Sequence, residues 1–266
     1  MSLIYSENEI IFLKQIILDY NLRLDGREKM EIRPFHIKEN TLKTCFNSLK
    51  LSYNNNKNEI IFAIKGEIIS YSSSLKNSDI ITLSIDSMNK NSEQTLKTKT
   101  EIENILNELN ISQIDINLLI VPESNNLFIW KIFIDVFIFD EMKISLLQII
   151  SIGLNKLLKS IKFPKIIIFD NKIDKTIEYD LISNYKENNS FKDNEYSVDL
   201  KPPNFFIFAI LNNLLYLDPN DEEIVISNSI IFLSEINQKI IKIKSIGNFT
   251  DPVVYFDLEN VLKTLK

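Results

Sequence analysis

Arginine is confined to one short stretch of this 266-residue chain. The three arginines are Arg23, Arg27 and Arg33, and lysine is the basic residue used everywhere else. A guanidinium offers a planar fork of donors that binds carboxylates or phosphates at two points, whereas an ammonium group acts as a point charge. Within the stretch, Asp25 and Gly26 are typical of a turn. We therefore expect a turn in which Asp25 pairs with a nearby arginine, with direct phosphate contact by arginine as the alternative.

The other reactive groups exclude several kinds of active site. The four glycines are never neighbours, so the sequence has no glycine-rich phosphate-binding loop. His36 is the only histidine and no Gly-x-Ser-x-Gly turn occurs, which leaves a serine–histidine–aspartate triad without a basis. Cys45 is the only cysteine, which excludes an internal disulfide and a multi-cysteine zinc site. We expect no metal site and no cofactor.

Two clusters of charge could still contribute to a site. The acidic cluster consists of Asp218, Asp221, Glu222 and Glu223. Paired carboxylates can bind Mg²⁺ or act as acid and base, but we expect these to form a solvated loop or a helix N-terminus. The basic cluster consists of Lys90, Lys97 and Lys99, at and just before a predicted helix. Lysines at a helix start can receive phosphate, with a plain solvated face as the alternative.

Composition and charge narrow the class of protein. Hydrophobic residues make up 45% of the chain and charged residues 25%, which is ordinary for a globular protein. The net charge of −6 contrasts with the basic domains of dedicated nucleic-acid binders, so RNA contact would need local lysines or partner subunits. No apolar run reaches the roughly 18 to 20 residues that span a bilayer, and no signal peptide is evident. We expect a soluble intracellular protein.

Hydrophobic periodicity predicts alternating strands and helices. A capping box at Ser6 and Glu9 begins a first helix that runs to about Tyr20. Further helices are predicted over 93–110 and 142–160, and one near 250. Strands are predicted over 31–39, 43–53, 58–69, 79–86, 116–121, 127–139, 164–170, 173–181, 204–217 (two strands about 212–213), 230–236 and 239–246. Loops are predicted over 70–78, 87–92 and 182–196.

This arrangement is an α+β layer, with helices on one face of β-rich sheets, rather than a doubly wound parallel sheet. The second half of the chain repeats the theme of the first more loosely. No linker rich in proline, glycine or serine separates them. We predict a single domain over 1–266, with a first half of about 1–160 and a second half of about 161–266.

Three motifs, in order along the chain, carry a resemblance to a known family. The first is Leu-Arg-Leu-Asp-Gly-Arg at 22–27 with Glu-Ile-Arg-Pro at 31–34. The second is Trp130 followed by Asp135 and Val136, and the third is Leu-Asp-Pro at 217–219 with two glutamates at 222–223. Together they resemble the RNase PH-like proteins, and among them the non-catalytic type of exosome ring subunit. The resemblance implies the α+β RNase PH-like fold (ribosomal protein S5 domain 2-like), with two similar βα halves and helices packed on mixed sheets.

The same resemblance implies that the catalytic groups are missing. Catalytic members cleave RNA by phosphorolysis, holding phosphate with an arginine before the first-half helix and a Gly-Gly-Thr-Arg-like turn, with an aspartate as acid. The corresponding positions here fall near Thr98, at 141–144, and near Asn228 or Ser229. They contain neither arginine, glycine pair nor aspartate in the required places. The resemblance therefore implies a subunit without enzymatic activity.

What the resemblance implies for function is a scaffold role in the RNA exosome. The subunit would join other RNase PH-like chains in a hexameric hetero-oligomer with S1- or KH-type RNA-binding caps, in the nucleus, including the nucleolus, and the cytoplasm. The ring would thread single-stranded RNA for 3′-to-5′ processing, rRNA maturation and mRNA turnover. Lys97 and Lys99 are the candidate RNA-binding residues, and the structural or interface motif is Arg23, Asp25, Gly26, Arg27 and Arg33. An active phosphate-dependent 3′ exoribonuclease and another non-catalytic ring paralogue stay open as alternatives.

Overall fold

The structure is a computed structural model, and it describes residues 5–20, 22–88, 93–122, 124, 127–171, 176–181, 195–247 and 258, with the backbone alone over 167–171 and 176–181. The described helices are α1 (Glu7–Asp19), α2 (Asn77–Ile80), α3 (Glu93–Leu109), α4 (Leu147–Leu158) and α5 (Asp221–Ile226). The first strands are β1 (Phe35–Glu39), β2 (Asn47–Tyr53), β3 (Asn58–Ser70), β4 (Ile81–Ser87) and β5 (Phe128–Ile138). The later strands are β6 (Ile161–Pro164), β7 (Ile166–Asn171), β8 (Thr176–Leu181), β9 (Glu195–Val198), β10 (Asn204–Leu211), β11 (Leu214–Leu217), β12 (Ser229–Ile236) and β13 (Lys239–Gly247).

A five-stranded mixed sheet forms the first half, in the order β1-β2-β3-β5-β4. The strands are antiparallel except for β4, which lies parallel to β5. The β2–β3 hairpin turns through Asn54, Asn55 and Asn56, whose φ angles are 52°, 55° and 64°. Asparagine tolerates this left-handed region better than other non-glycine residues, which explains why the asparagine cluster marks the turn.

A four-stranded antiparallel sheet forms the second half, in the order β11-β10-β12-β13. Its first hairpin turns through Asn212 and Asn213, again with positive φ. Two small antiparallel pairs, β6 with β9 and β7 with β8, complete the described strands. Antiparallel pairing joined by short turns agrees with the predicted α+β class.

Helix α4 lies between the two large sheets. On one side Gly153 faces the ring of Phe62 on β3 so closely that an added Cβ would lie 2.3 Å from Phe62 Cζ. On the other side the Gln148 side chain donates to the carbonyl of Phe205 and accepts from the amide of Ile207, both on β10. One hydrophobic core therefore includes residues of both sheets.

Helix α3 buries one face against the same core, through Ile102, Ile105, Leu106 and Leu109. At its C-terminal end the carbonyl of Leu109 accepts a hydrogen bond from the hydroxyl of Ser234 on β12. The apolar spacing that predicted this helix thus also fixes which face it buries.

Most predicted elements are confirmed, with shifted ends. The capping box of α1 is present, since Ser6 accepts from the amide of Glu9 and the Glu9 carboxylate accepts from the amide of Ser6. Strands β1 and β2 begin later than predicted, at Phe35 and Asn47, and the 142–160 helix is shorter, running from Leu147 to Leu158 after a 3₁₀ turn. Before β1 the Arg33 side chain binds Asp218, and before α4 the Ser145 hydroxyl binds Asp221.

Three predicted elements are wrong. Residues 116–121 do not form a strand, because the Asp115 side chain accepts from the Asn117 amide and starts a 3₁₀ helix over Ile116–Leu119. The predicted 70–78 loop contains the start of α2, so the next strand begins at Ile81 rather than 79. The end of the predicted 182–196 loop belongs to β9, where the Tyr196 hydroxyl accepts from the Trp130 indole at 2.8 Å.

Two further predictions lie mainly outside the described residues. They are the rest of the 182–196 loop and the helix predicted near 250, of which only Leu258 is described. In the part of the chain that the structure describes, no helix is both long and apolar enough to cross a membrane.

Candidate functional site

The arginine stretch forms a buried cluster with the acidic segment at the other end of the sequence. We call this cluster the arginine clasp and define it as Arg23, Arg27, Arg33, Asp25, Asp218 and Glu223. Three of its ion pairs join groups that are 200, 191 and 185 residues apart in the chain. The clasp is therefore a tertiary contact that also contains the predicted turn at Asp25 and Gly26.

Arg23 binds Glu223 in the two-point geometry that only a guanidinium provides. Its Nε lies 2.8 Å from Glu223 Oε1 and its Nη2 lies 2.7 Å from Oε2. The remaining donors reach main-chain carbonyls, including those of Leu217 at 3.0 Å and Glu28 at 3.1 Å. Because both side chains are almost fully buried, this pair is screened little by solvent.

Asp218 accepts from two further arginines. Arg33 donates to both carboxylate oxygens, with Nη2 to Oδ1 at 2.8 Å and Nε to Oδ2 at 2.9 Å, and its amide donates to Oδ2 at 2.7 Å. Arg27 adds a fourth donor, with Nη1 to Oδ2 at 3.0 Å. Asp218 has 0% of its surface exposed, so its charge depends on these partners.

The local chain geometry presents these groups to one another. Gly26 has a φ of 77°, which lets the chain turn so that Arg23 and Arg27 face the same side. Asp25 accepts from Arg27 Nε at 2.7 Å, which is the short-range pair expected from the sequence. On the partner segment, Glu223 also closes the capping box of α5 with Asn220, so one carboxylate holds both the helix start and Arg23.

The clasp joins three parts of the fold. Arg33 Nη2 donates to the carbonyl of Ser145, just before α4, and to the carbonyl of Pro219, just before α5. The Ser145 hydroxyl donates to Asp221, which also pairs with Lys143 at 2.9 Å. The N-terminal segment, the start of α4 and the start of α5 are thereby fixed relative to one another.

The electrostatics of the clasp are balanced, with three arginines facing three carboxylates. Burial opposes ionisation of Arg33, but the charge of Asp218 outweighs it and raises the pKa of Arg33. Burial of Asp25 likewise opposes ionisation, yet the hydrogen bond and charge of Arg27 lower the pKa of Asp25. Each guanidinium is bound to a carboxylate of its own chain, so the arrangement orders the chain and offers no spare positive charge to a phosphate.

The acidic cluster at 218–223 differs from the prediction that it would be solvated. It does form a helix N-terminus, but Asp218 and Glu223 are buried in the clasp instead of solvated. Glu222 accepts from the Tyr5 hydroxyl at 3.2 Å, and Asp221 is bound by Ser145 and Lys143. Among the described residues, no group of three or more histidine, cysteine, aspartate or glutamate side chains could hold a metal ion.

The candidate RNA-binding lysines lie far from the clasp in sequence, on α3. Lys97 pairs with Glu93 at 2.7 Å and remains 76% exposed. Lys99 pairs with Asp86 at 2.9 Å and lies 3.9 Å from Glu103. Lys90 falls outside the described residues. Both described lysines therefore have carboxylate partners, and their role toward RNA stays a prediction.

The structure describes all three places that the resemblance assigns to the phosphorolytic groups. Thr98 is half-buried on α3. Lys143 in the 141–144 turn pairs with Glu141 and Asp221. Asn228 accepts from the Asn212 amide, beside the buried Ser229 at the start of β12. Within the described part of the chain, no hydrogen bond or ion pair joins these three places.

Comparisons with known proteins find the fold in solved structures. An archaeal exosome core chain aligns with a TM-score of 0.62 at 15% identity, covering 96% of this chain and 93% of that chain. A chain of the Archaeoglobus fulgidus exosome with RNA bound to the active site aligns with a TM-score of 0.63 at 14% identity, covering 97% and 96%. Rice (Oryza sativa) Rrp46 aligns with a TM-score of 0.54 at 14% identity, covering 91% and 93%. No family model and no curated protein matches the chain.

These neighbours span nearly the whole chain, and the likeness shows its fold. The chain has the α+β fold of the RNase PH-like exosome core proteins, as the three sequence motifs predicted. At identities of 14–15% the likeness shows the fold, and any activity has to be argued from the residues of the site.

Reasoning from the sequence did not predict which residues the arginines bind. Two motifs that were recognised separately, around Arg23 and around Asp218, are the two sides of one cluster. The available signal was that buried arginines need carboxylate partners, which the acidic motif at 217–223 could supply.

Proposed function

We propose that this protein is a non-catalytic structural subunit of the ring of an RNA exosome, of the type represented by ribosomal RNA-processing protein forty-two. It would occupy a hexameric hetero-oligomer with other RNase PH-like chains and S1- or KH-type caps. The ring would pass single-stranded RNA toward a separate nuclease, in rRNA maturation and mRNA turnover. It would localise to the nucleus, including the nucleolus, and to the cytoplasm.

The proposal that the subunit is inactive rests on the partners of its arginines. All three arginines of the chain are bound to carboxylates in the clasp. Phosphorolysis needs an inorganic phosphate dianion held by strong donors next to the RNA 3′ end. The lysine within the 141–144 turn, Lys143, is already paired with Asp221 and Glu141.

The ring role rests on the fold of the neighbours and on the three motifs. The archaeal structures are described as an exosome core and as an exosome with RNA bound to the active site. A chain with this fold but without the phosphate-binding groups would still shape the ring. The clasp would keep the N-terminal segment rigid, and Lys97 and Lys99 could follow a phosphate backbone without reading its sequence.

The first experiment is affinity isolation of the tagged full-length protein from its own cells, with mass spectrometry of the recovered chains. We expect RNase PH-like chains and S1- or KH-type caps in amounts comparable to the bait. Recovery of the protein alone or as a homo-oligomer would contradict the ring proposal.

A second experiment tests inactivity. Purified protein should release no nucleoside diphosphates from RNA when inorganic phosphate is added. Phosphate-dependent release would support the alternative of an active 3′ exoribonuclease. Because Asp218 holds two buried arginines, an Asp218→Ala variant would report on folding in this assay, and Lys143→Ala is the more informative variant.

A further inference from the structure

Helix α4 begins at an acidic surface and ends at a basic one. Before its start, Glu141 and Asp221 share a single lysine, Lys143, and the Ser145 hydroxyl connects Asp221 to the turn that leads into the helix. Towards its end the sequence has lysines at 156, 159, 162 and 165, and no acidic residue occurs between 142 and 169. The helix has 12 residues, so the two surfaces are about 18 Å apart.

The basic surface is held together by tertiary contacts. We call it the lysine patch and define it by five exposed side chains: Lys156, Lys159, Lys162, Lys165 and Lys201. The amide of Leu200 donates to the carbonyl of Leu158 at 3.1 Å, which brings Lys201 beside the last turn of α4. Lys162 lies on β6, which pairs with β9 directly before the segment that carries Lys201.

Three lysines of the patch have no carboxylate partner in the part of the chain that the structure describes. Lys159, Lys162 and Lys201 form no ion pair there, whereas Lys156 pairs with Glu39 at 2.9 Å. Asp199 accepts from the main-chain amide of Lys201. The described carboxylates of this surface are Glu39, Glu195 and Asp199, so lysines outnumber them. The patch is a local positive excess on a chain with a net charge of −6, and neighbouring unpaired cations repel one another unless an anion binds.

We propose that the lysine patch binds the phosphate backbone of single-stranded RNA, an inference that rests on the proposed exosome function. Lysine is depleted from protein–protein interfaces, and the described residues of 155–165 and 195–204 expose no large apolar side chain to anchor a protein partner. Flexible ammonium groups can follow a phosphate backbone without reading its bases. RNA therefore contacts this subunit at the end of α4 that lies away from the 141–144 turn, where carboxylates repel phosphate.

The patch differs in this respect from the lysines on α3. Lys97 pairs with Glu93 and Lys99 with Asp86, so RNA has to displace a carboxylate before it binds either of them. The unpaired lysines of the patch carry no such cost, which makes them the stronger phosphate contacts.

Binding of single-stranded oligouridylate and oligoadenylate to the purified full-length protein tests the patch, measured by fluorescence anisotropy over a series of salt concentrations. The patch variant combines Lys159→Gln, Lys162→Gln and Lys201→Gln. The matched control combines Lys50→Gln, Lys65→Gln and Lys131→Gln, which removes the same charge from lysines that have carboxylate partners. Because the patch lysines are exposed, urea unfolding of the patch variant should match that of the unmodified protein.

We expect the patch variant to bind at least about tenfold more weakly at low salt, and the slope of log affinity against log salt to fall by about two, since each single-strand phosphate contact contributes about 0.7. The control variant should bind like the unmodified protein, and the two RNAs should bind alike. An equal loss in both variants, or no binding by the unmodified protein, would overturn the inference.

A photo-activated cross-linking amino acid at position 162 gives an independent measurement in the assembled complex. A cross-link to RNA supports the inference, whereas a cross-link to a protein chain contradicts it and leaves the ring function standing. Failure of the unmodified protein to recover any RNase PH-like chain would instead remove the proposed function, while the binding measurement on the purified protein would still decide whether the patch binds RNA.

Discussion

The arginine clasp can be compared with one face of the five-stranded sheet, which we call the sheet face and which carries the pairs Lys50–Glu59, Lys65–Asp135 and Lys131–Glu67. Both regions hold paired charges, yet they differ in depth and in the cation used. In the clasp, the arginines bind Asp218 and Glu223, whose side chains are almost fully buried. On the sheet face, lysines bind carboxylates that remain in solvent, and the Lys65–Asp135 side chains are 59% and 53% exposed. Burial makes Asp218 and Glu223 costly to remove, because an unpaired buried charge is unfavourable. Exposure makes the sheet pairs replaceable.

Removing the charge of Asp218 is the strongest way to test this difference. Asp218 lies in the left-handed region with a φ of 50°, which asparagine also tolerates, so Asp218→Asn keeps the backbone and removes only the charge. Arg33 then lacks its only carboxylate and Arg27 keeps only Asp25, so we expect a loss of about 3–5 kcal/mol in the free energy of unfolding. Urea unfolding of the full-length protein measures it.

The matched control for Asp218→Asn is Asp135→Asn on the sheet face. Its partner Lys65 stays in water, so we expect a change below about 0.5 kcal/mol. Equal effects of the two substitutions would contradict the distinction between the regions.

Exchanging the cation is the next test, through Arg23→Lys. The charge is kept, but an ammonium group cannot form the paired bonds to Glu223 and also satisfy the carbonyls of Leu217 and Asp218. We expect a loss of about 2 kcal/mol in the free energy of unfolding, since buried acceptors are left unpaired. The reverse exchange on the sheet, Lys50→Arg, should change stability little. A neutral result for Arg23→Lys would show that charge alone holds the clasp.

The position of the clasp and of two hairpins could be predicted from the sequence, whereas the partners of the arginines could not. Restriction of arginine to 23–33 marked the clasp, and the asparagine clusters marked two hairpins through their tolerance of positive φ. The partners of the arginines could not be predicted locally, because they lie about 190 residues away. Acidic residues in a row are ordinarily solvated, so the burial of Asp218 required the tertiary structure.

The secondary-structure errors have a similar origin. The apolar residues of 116–121 suit a strand or a short helix equally, and the Asp115 side chain decides for a 3₁₀ helix. The start of α4 was predicted too early, because Ser145 makes contacts to Arg33 and Asp221 that no periodicity shows. The 1–266 domain boundary and the division near 160 stay predictions, although α4 ends at Leu158 and β6 begins at Ile161.

Substitution of Gly26, in the turn between Arg23 and Arg27, should have a smaller effect on the free energy of unfolding. Gly26 has a φ of 77° and no atom lies within 4 Å of an added Cβ, so Gly26→Ala introduces backbone strain without a clash. We expect a loss of about 1 kcal/mol in the free energy of unfolding. Gly26→Asn serves as the control and should recover part of it, because asparagine adopts this conformation more readily. Equal stability of the alanine variant and the unmodified protein would show that the turn is not what orients the arginines.

The edge of the clasp should respond to acid. Arg27 lowers the pKa of Asp25 despite its partial burial, so the ionised carboxylate is favoured in the folded state. The stabilisation is present above the ordinary aspartate pKa of 3.8 and is lost as the pH falls through the lower folded value. Unfolding measured against pH should show Asp25→Asn as the less stable protein near neutrality, with the difference shrinking below pH 3.8. A constant difference across that range would assign the effect of Asp25 to packing instead of charge.

The smallest effect on the free energy of unfolding is expected for Lys97, which forms a solvent-exposed ion pair with Glu93. Lys97 and Glu93 are one helical turn apart on α3, with 76% and 83% of their side chains exposed. Replacing Lys97 with alanine should change the free energy of unfolding by less than about 0.5 kcal/mol, and added salt should remove the difference. Ultraviolet cross-linking of RNA to the assembled complex then separates stability from function. A lower RNA yield with unchanged unfolding would place Lys97 beside RNA, whereas an unchanged yield would leave it as a solvated helix residue paired with Glu93.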